Sequence, residues 1–418
     1  MFKNIFKNTG WLFLAEAINK GVFFLITIII ARNFGSELFG QFNYAISFVI
    51  IFSIIADFGI NNLLIREVAR NKDGSALLIG NSLIIKIFLS FLTLGLIFIS
   101  TIFTHKALEV NILVYILAFY IIFNSYNTLS KSIYRAFEKM KFETFLKSVE
   151  SIILLLYVLI ISIYVKDLKI LILGFALASA ITFFISVKWI KKFFTKFYFK
   201  FDKKTILFLL KEGWPFALAG IFATIYFNID TVMISWIRGD EETGWYSAAY
   251  NFIFVAMLIP SLLNASFYPI LSRMNKNLFI IKNNVLKYII LLCGTGIIGS
   301  TLILIFKSSL IQFIYGNGYG NSIKSLEVLA FILPFVFFSS FMGVFLSSIN
   351  KQKVPMLVSG IGMIINILLN LHFIPLNGAR GAALASLISI ILMTIGFIIS
   401  TILIPKIKRS FINIKQSY

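Results

Sequence analysis

The chain has 418 residues, of which 59% are hydrophobic and only 13% charged, with a formal net charge of +21 and a mean hydropathy of +0.94. A water-soluble domain of this length must cover its surface with polar groups that this composition does not supply, so that class is excluded. A single cysteine, Cys293, rules out a disulfide framework, and the two histidines, His105 and His372, lie too far apart for a metal-ligand motif.

The apolar residues come in blocks rather than stripes. Runs such as Val22–Ala31, Ile152–Val165 and Ile297–Phe306 leave no polar face for water. Lipid tolerates such runs, because a helix satisfies its own backbone groups and its side chains can be apolar all round. At about 20 residues per crossing, the sequence predicts an all-α polytopic membrane protein with about twelve spanning helices. In the first half they fall near 11–31, 41–63, 76–103, 110–130, 148–165 and 170–189. In the second half they fall near 213–237, 245–270, 285–306, 325–349, 354–374 and 381–404.

The basic residues give this set an orientation. With the N-terminus inside, most of the 38 Lys and Arg fall in inner connections, notably Lys131, Arg135 and Lys147 and the run from Lys188 to Lys211. The positive-inside rule then predicts both termini in the cytoplasm and an even number of spans. The basic excess is thus topological, and no readable nucleic-acid motif accompanies it. The segment KWIKKFFTKFYFKFDKKTILFLLK mixes aromatics with lysines, as an amphipathic segment in the cytoplasmic interface does. The domain expectation is an N-terminal six-helix lobe over 1–190, a basic amphipathic linker over 191–211, a C-terminal six-helix lobe over 212–405 and a basic cytoplasmic tail over 406–418.

The halves repeat. Gly35-Ser-Glu37-Leu-Phe-Gly40-Gln-Phe42 parallels Gly239-Asp-Glu241-Glu-Thr-Gly244-Trp-Tyr246, each opening the second helix of its half. Gly174-Phe-Ala-Leu-Ala-Ser-Ala-Ile181 parallels Gly381-Ala-Ala-Leu-Ala-Ser-Leu-Ile388, each opening the last. With six crossings per copy the two keep one orientation, which predicts a pseudo-two-fold axis along the membrane normal.

Ionisable groups inside spans are costly and mark function by default. They are Glu16 and Lys20 in the first helix, Asp57 in the second, Lys86 in the third and Asp230 in the seventh. Glu16 and Lys20, four residues apart, share a helix face and could pair. Asp57 could pair with Arg66 or Arg70, and Lys86 could snorkel to the inner face. Asp230 stands between Asn228 and Thr231 with no nearby cation in sequence, where it could bind a coupling proton or sodium ion. Asn366 and Asn370, also four apart, are secondary polar candidates whose blander role is to join helices. Asp240-Glu241-Glu242 reads as a solvated outer loop. No catalytic residue and no metal site is expected, and an aqueous catalytic loop of the size a glycosyltransferase needs is missing from the outer connections.

The ordered motifs resemble the polysaccharide and lipid-linked oligosaccharide flippases, of the O-antigen flippase type, in the multidrug/oligosaccharidyl-lipid/polysaccharide exporter superfamily. The residues that carry the resemblance are Ala31-Arg-Asn-Phe-Gly35 with Phe39-Gly40, Asp57-Phe-Gly59 with Arg66-Glu67, and Arg135-Ala-Phe-Glu138-Lys-Met140. Asp230, Gly244-Trp-Tyr246, Asn366, Asn370 and Ile374-Pro375-Leu-Asn-Gly378 complete it. The resemblance implies a pair of six-helix bundles around a central cavity that opens alternately to each face. Its implied cargo is a polyprenyl-(pyro)phosphate-linked glycan moved from the inner to the outer leaflet of the cell membrane. Implied partners are the bilayer and the polymerase or glycosyltransferases of the same pathway; no cofactor is implied beyond a coupling proton or sodium ion. An ion-coupled multidrug or small-molecule antiporter is the alternative that the shared fold leaves open.

Overall fold

A computed structural model of the full chain describes residues 2–72, 75–194, 199–264, 267, 278–349 and 351–403. Within these residues the chain is helical, with α1 over Phe2–Asp57, α2 over Ile60–Arg70, α3 over Ser75–Phe103 and α4 over Leu108–Ala136. Then come α5 over Met140–Tyr164, α6 over Leu168–Phe193, α7 over Lys203–Ile237 and α8 over Asp240–Ala256. The last four are α9 over Leu278–Tyr315, α10 over Ser322–Ala330, α11 over Ile332–Ser348 and α12 over Lys353–Leu403. Nine helices among the described residues are long and apolar enough to cross a membrane, or ten if α10 and α11, bent by 47° at Phe331, form one broken span. This is a multi-pass membrane protein. The predicted tail over 406–418 lies outside the described residues, as do residues 195–198 of the predicted linker.

Two of the long helices are not continuous. Gly35 in α1 has φ 79° and ψ 177°, and Gly378 in α12 has φ 57° and ψ −135°, so each helix consists of two segments joined at a glycine. A side chain at such a φ is strained, which is why glycine stands there. Gly239, the counterpart of Gly35 in the repeated motif, has nearly the same backbone, φ 94° and ψ 178°. The sequence likeness of the two motifs is thus matched by a likeness of local conformation.

By packing, the chain forms two compact units, Met1–Trp236 and Ile237–Tyr418. In the first, the amphipathic α2 places Ile60, Leu63, Leu64 and Val68 on one face, against Leu129, Ile133 and Tyr134 of α4, Leu146 of α5 and Leu209 of α7. A seam of small polar residues joins α4 to α6. Asn127 donates to the Ser179 carbonyl at 2.9 Å and to Thr182 Oγ1 at 2.9 Å, and the Ser130 and Ser186 hydroxyls meet at 3.0 Å. Hydrogen bonds of this kind hold helices together where lipid removes the hydrophobic drive between them. Ahead of α7, Asp202 accepts from the Thr205 N–H at 2.9 Å and its hydroxyl at 2.5 Å. These bonds hold its carboxyl below the usual carboxylate range.

In the second unit, Asp240, Glu241 and Glu242 occupy the first turn of α8 rather than a solvated loop. Carboxylates are favoured there by the helix dipole. Glu242 also reaches the break in α12, accepting from the Ala379 N–H at 2.9 Å while pairing with Arg238 at 3.0 Å. Its carboxylate therefore satisfies one of the amide donors that the Gly378 kink releases. Connections expected to be loops are helical elsewhere too. α4 runs on to Ala136 and α5 begins at Met140, so Lys131, Arg135 and Lys147 sit on helices.

Gly59 is the tightest point of the first unit. It follows Asp57 and Phe58 at the end of α1 with φ 69°, and a methyl group there would come within 2.8 Å of the Ala217 backbone nitrogen and of Phe216 Cβ in α7. Gly59→Ala is expected to lower stability by about 2 kcal/mol through the left-handed backbone and the backbone clash. Thermal unfolding of the purified protein in detergent measures it, and an unchanged midpoint contradicts this packing.

Candidate functional site

Two clusters of charged residues in the first unit involve the candidate residues. The first is centred on Lys86 of α3, whose side chain is fully buried. Its Nζ donates to Asp57 Oδ1 at 2.6 Å, to the Ser125 carbonyl at 3.0 Å and to the Ser125 hydroxyl. Ser125 in turn donates to Asp57 Oδ1 at 2.7 Å. The break after Asp57 contributes as well, because the Ala56 carbonyl lies 3.5 Å from Nζ. Lys86 therefore does not snorkel, and the partner of Asp57 is Lys86 rather than Arg66 or Arg70. Those two arginines bind Glu67, at 2.6 Å and 3.2 Å, and Arg66 also reaches Glu212 at 3.3 Å. Sequence distance hid the Asp57–Lys86 pair, since 29 residues separate the two.

The second cluster lies between α1, α4 and α5. Glu16 makes a short ion pair with Lys147 of α5 at 2.5 Å and also interacts electrostatically with Lys20, four residues along its own helix. Lys147 also lies 3.4 Å from Glu143, which is fully buried. Arg135 of α4 clasps Glu143 with two parallel bonds of 2.6 and 2.7 Å, the bidentate geometry that suits guanidinium to carboxylate. Lys131 lies 4.0 Å from Glu150, and Asn19 donates to Ser151 at 3.4 Å. Around these groups is a cavity of about 270 Å³, lined by polar and charged side chains of all three helices. A smaller pocket of about 60 Å³ adjoins it and shares Asn19, Tyr120 and Glu150.

Along the sequence Lys131, Arg135 and Lys147 look like loop charges, which conceals this cluster. A signal was present. Glu143, Lys147 and Glu150 recur at helical spacing on α5, and Tyr120, Asn124, Thr128, Lys131 and Arg135 form a stripe along α4.

The remaining candidates lie elsewhere. Asp230 is buried in the last third of α7, 4% exposed, beside Thr231. Close by in the first unit, Phe48, Phe52, Phe103, Val232 and Trp236 line an apolar pocket of about 520 Å³. Asn366 and Asn370 belong to the second unit, fully buried in the first segment of α12. Asn370 donates to Asn366 Oδ1 at 3.1 Å, and Asn366 donates to Ser389 of the second segment at 3.4 Å. They thus make the helix-joining contacts open to amides at this spacing. No group of three metal-ligating side chains occurs among the described residues.

Comparison with known proteins places these features in a family. The model of the family described as "Polysaccharide biosynthesis protein" matches residues 5–275, more than half of the chain. The chain belongs to the polysaccharide biosynthesis protein family. The MatE family model also matches, over residues 215–372. A putative O-antigen transporter of Shigella flexneri is 24% identical over 406 residues, covering 93% of this chain and 96% of that protein. The capsular polysaccharide biosynthesis protein CapF of Staphylococcus aureus is 24% identical over 392 residues, covering 92% and 96%. Among solved structures, the lipid II flippase MurJ in an inward closed conformation superposes with a TM-score of 0.77 at 21% identity, covering 96% of this chain and 91% of its own. An inward-facing multidrug resistance MATE transporter gives 0.75 at 15% identity, covering 97% and 99%. The fold is that of the MurJ and MATE transporters. The family and its structural neighbours are transporters and flippases, not enzymes.

A polysaccharide biosynthesis protein that buries Lys86 must keep it neutralised. Removing one partner of a buried pair costs about 3–5 kcal/mol, whereas removing both is often near neutral. Asp57→Asn alone and Lys86→Met alone are therefore each expected to destabilise the protein, Asp57→Asn by that order, and the double variant to recover most of the loss. Thermal midpoints for the two singles and the double decide it: additive losses would show that the residues do not act as a pair.

Proposed function

We propose that the protein flips a polyprenyl-(pyro)phosphate-linked oligosaccharide from the inner to the outer leaflet of the cell membrane by alternating access, coupled to a proton or sodium ion. The observation that carries this reading is the end-to-end match to a putative O-antigen transporter, which leaves almost none of either chain unaligned. A probable flippase of Haloferax volcanii, 26% identical over 205 residues and covering 41% of that protein, points the same way. The proposed topology has twelve crossings, six in each half, related by a pseudo-two-fold along the membrane normal. It follows from counting α1 and α12 as two spans each at Gly35 and Gly378, and α10 with α11 as one. With an even count both termini lie in the cytoplasm, where the basic connections then also fall.

A flippase must carry a charged head group and a hydroxyl-rich glycan through a medium of low dielectric, so its path needs polar groups held in lipid. We assign Glu16, Lys20, Asp57, Lys86 and Asp230 to substrate or coupling ion, with Asn366 and Asn370 as secondary polar contacts. Lys20 brings positive charge suited to phosphate, whereas the buried Lys86 would reach phosphate only when its pair with Asp57 opens. Asp230, an acid buried in a spanning helix, has the chemistry of a coupling-ion ligand. The second reading, an ion-coupled small-molecule antiporter, draws on the MatE match and the MATE-like fold.

The two readings differ in what moves. In proteoliposomes carrying a fluorescent polyprenyl-pyrophosphate-linked glycan, the flippase predicts that active protein exposes the label to an external quencher. It also predicts that Asp230→Asn slows this at least tenfold while inserting normally. Translocation no faster than in empty liposomes, together with drug-dependent sodium or proton counterflow, would establish the antiporter instead.

A further inference from the structure

The cavity between α1, α4 and α5 has features that the ion pairs around it do not use. Lys131 and Glu150 face each other at 4.0 Å, beyond hydrogen-bonding distance, and each side chain is only about a tenth exposed. Neither makes a side-chain hydrogen bond among the described residues, nor do the Asn124 amide and the Tyr120 hydroxyl, and all four line the cavity. Apart from the loose Lys131–Glu150 ion pair, the four groups keep hydrogen-bonding capacity that an occupant of this space can use. Thr128 gives its hydroxyl proton to the Asn124 carbonyl and Ser132 to the Thr128 carbonyl, which leaves their oxygens as acceptors.

Depth and charge narrow the choice. The α4 stripe from Arg135 to Tyr120 spans 15 residues, about 22 Å of helix, against roughly 30 Å of hydrocarbon. The polar stripe lining the cavity is therefore comparable in length to most of that thickness. Its polar lining excludes an isoprenoid or acyl chain. Its cations are each already matched to carboxylates, Arg135 to Glu143, Lys147 to Glu16 and Glu143, and Lys131 to Glu150, so no net positive field remains for phosphate. What suits such a lining is a neutral ligand that donates and accepts in many directions. The volume, about 270 Å³, is that of roughly nine waters at about 30 Å³ each, and below the range of drug-sized sites.

We propose that this cavity is a carbohydrate subsite inside the first unit, taking one uncharged sugar ring, with Asn124, Lys131, Glu150 and Tyr120 as its hydrogen-bonding residues. Glu150 accepts from ring hydroxyls, Lys131 donates to them, Asn124 does both, and Tyr120 closes the deep end. The assignment rests on the flippase reading for its source of sugar, the glycan of the lipid-linked cargo, but the binding site can be tested without transport.

The test is saturation-transfer NMR on the full chain in detergent, with separate free sugars as probes: neutral hexoses, deoxyhexoses, N-acetylhexosamines, a uronic acid, and inorganic phosphate as competitor. The expected result is transfer to the ring protons of at least one neutral sugar, unaffected by phosphate. Asn124→Leu, which replaces the amide by an apolar group of similar shape, should weaken it at least tenfold, and Glu150→Gln, which keeps the shape, should weaken it measurably. Both variants are first matched to wild type in thermal midpoint and elution. No transfer to any neutral sugar, transfer that survives Asn124→Leu, or displacement by phosphate overturns the proposal. Translocation of lipid-linked glycan by wild type and Asn124→Leu at equal rates removes this subsite and leaves the flippase standing. Sugar binding by a protein that moves no glycan lipid leaves the subsite and removes the flippase.

Discussion

Every polar group placed inside the hydrocarbon must find its partner within the protein, and the organisation of this chain follows from that demand. Backbone groups meet it by forming helices over nearly all the described residues. Where a helix breaks, the freed groups need a substitute. Glu242 supplies one at the Gly378 kink, and Lys86 reaches the Ala56 carbonyl beside the break after Asp57. The breaks are thus places where side-chain charge is drawn into the bundle, and they coincide with the motifs shared with the flippase family.

The same demand explains why the ionisable residues of the first unit are found as networks. A lone buried lysine would cost several kcal/mol, so Lys86 lies within reach of Asp57 and Ser125 at once. Around Glu143 the arrangement is denser, with Arg135, Lys147 and Glu16 linked in sequence across three helices. Such networks tie α1 to α4 and α5 in one geometry. They also enclose a polar-lined space that apolar packing would have filled. A transporter for a hydroxyl-rich cargo needs such space, and an inert membrane protein does not.

Family membership and fold agree with this picture without specifying the cargo. The relatives that align over nearly the whole chain are named for O-antigen transport and capsular polysaccharide biosynthesis, while the solved neighbours include both a lipid II flippase and multidrug transporters. One scaffold serves polar lipid-linked glycans and small drugs, so the cargo is decided by side chains that line the interior. In this chain the α1–α4–α5 cavity is lined by amides, hydroxyls and matched charges, while the larger pocket beside α7 is lined by apolar and aromatic groups such as Phe48, Phe52, Phe103 and Trp236.

How much was legible in the sequence divides along the line between local and distant information. Hydropathy is local, so the all-helical membrane class and most spans could be read directly, and Gly35 and Gly239 stood out because both open the same motif. Chain order also carried the family resemblance, from Ala31-Arg-Asn-Phe-Gly35 to Asn366 and Asn370. Partnership is not local. Asp57 could be given Arg66, and Glu16 could be given Lys20, because those were the nearest opposite charges along the chain. Folding brought Lys86 to Asp57 in place of Arg66, and added Lys147 to Glu16 beside Lys20, from 29 and 131 residues away. Loop charges and helix charges look alike in sequence, so Lys131, Arg135 and Lys147 were read as topology signals. Only the extension of α4 and α5 into that connection turned them inward, and only their meeting with α1 enclosed the cavity. The sequence by itself determined that the protein spans a membrane; the tertiary structure decided which charges neutralise each other and where polar space remains.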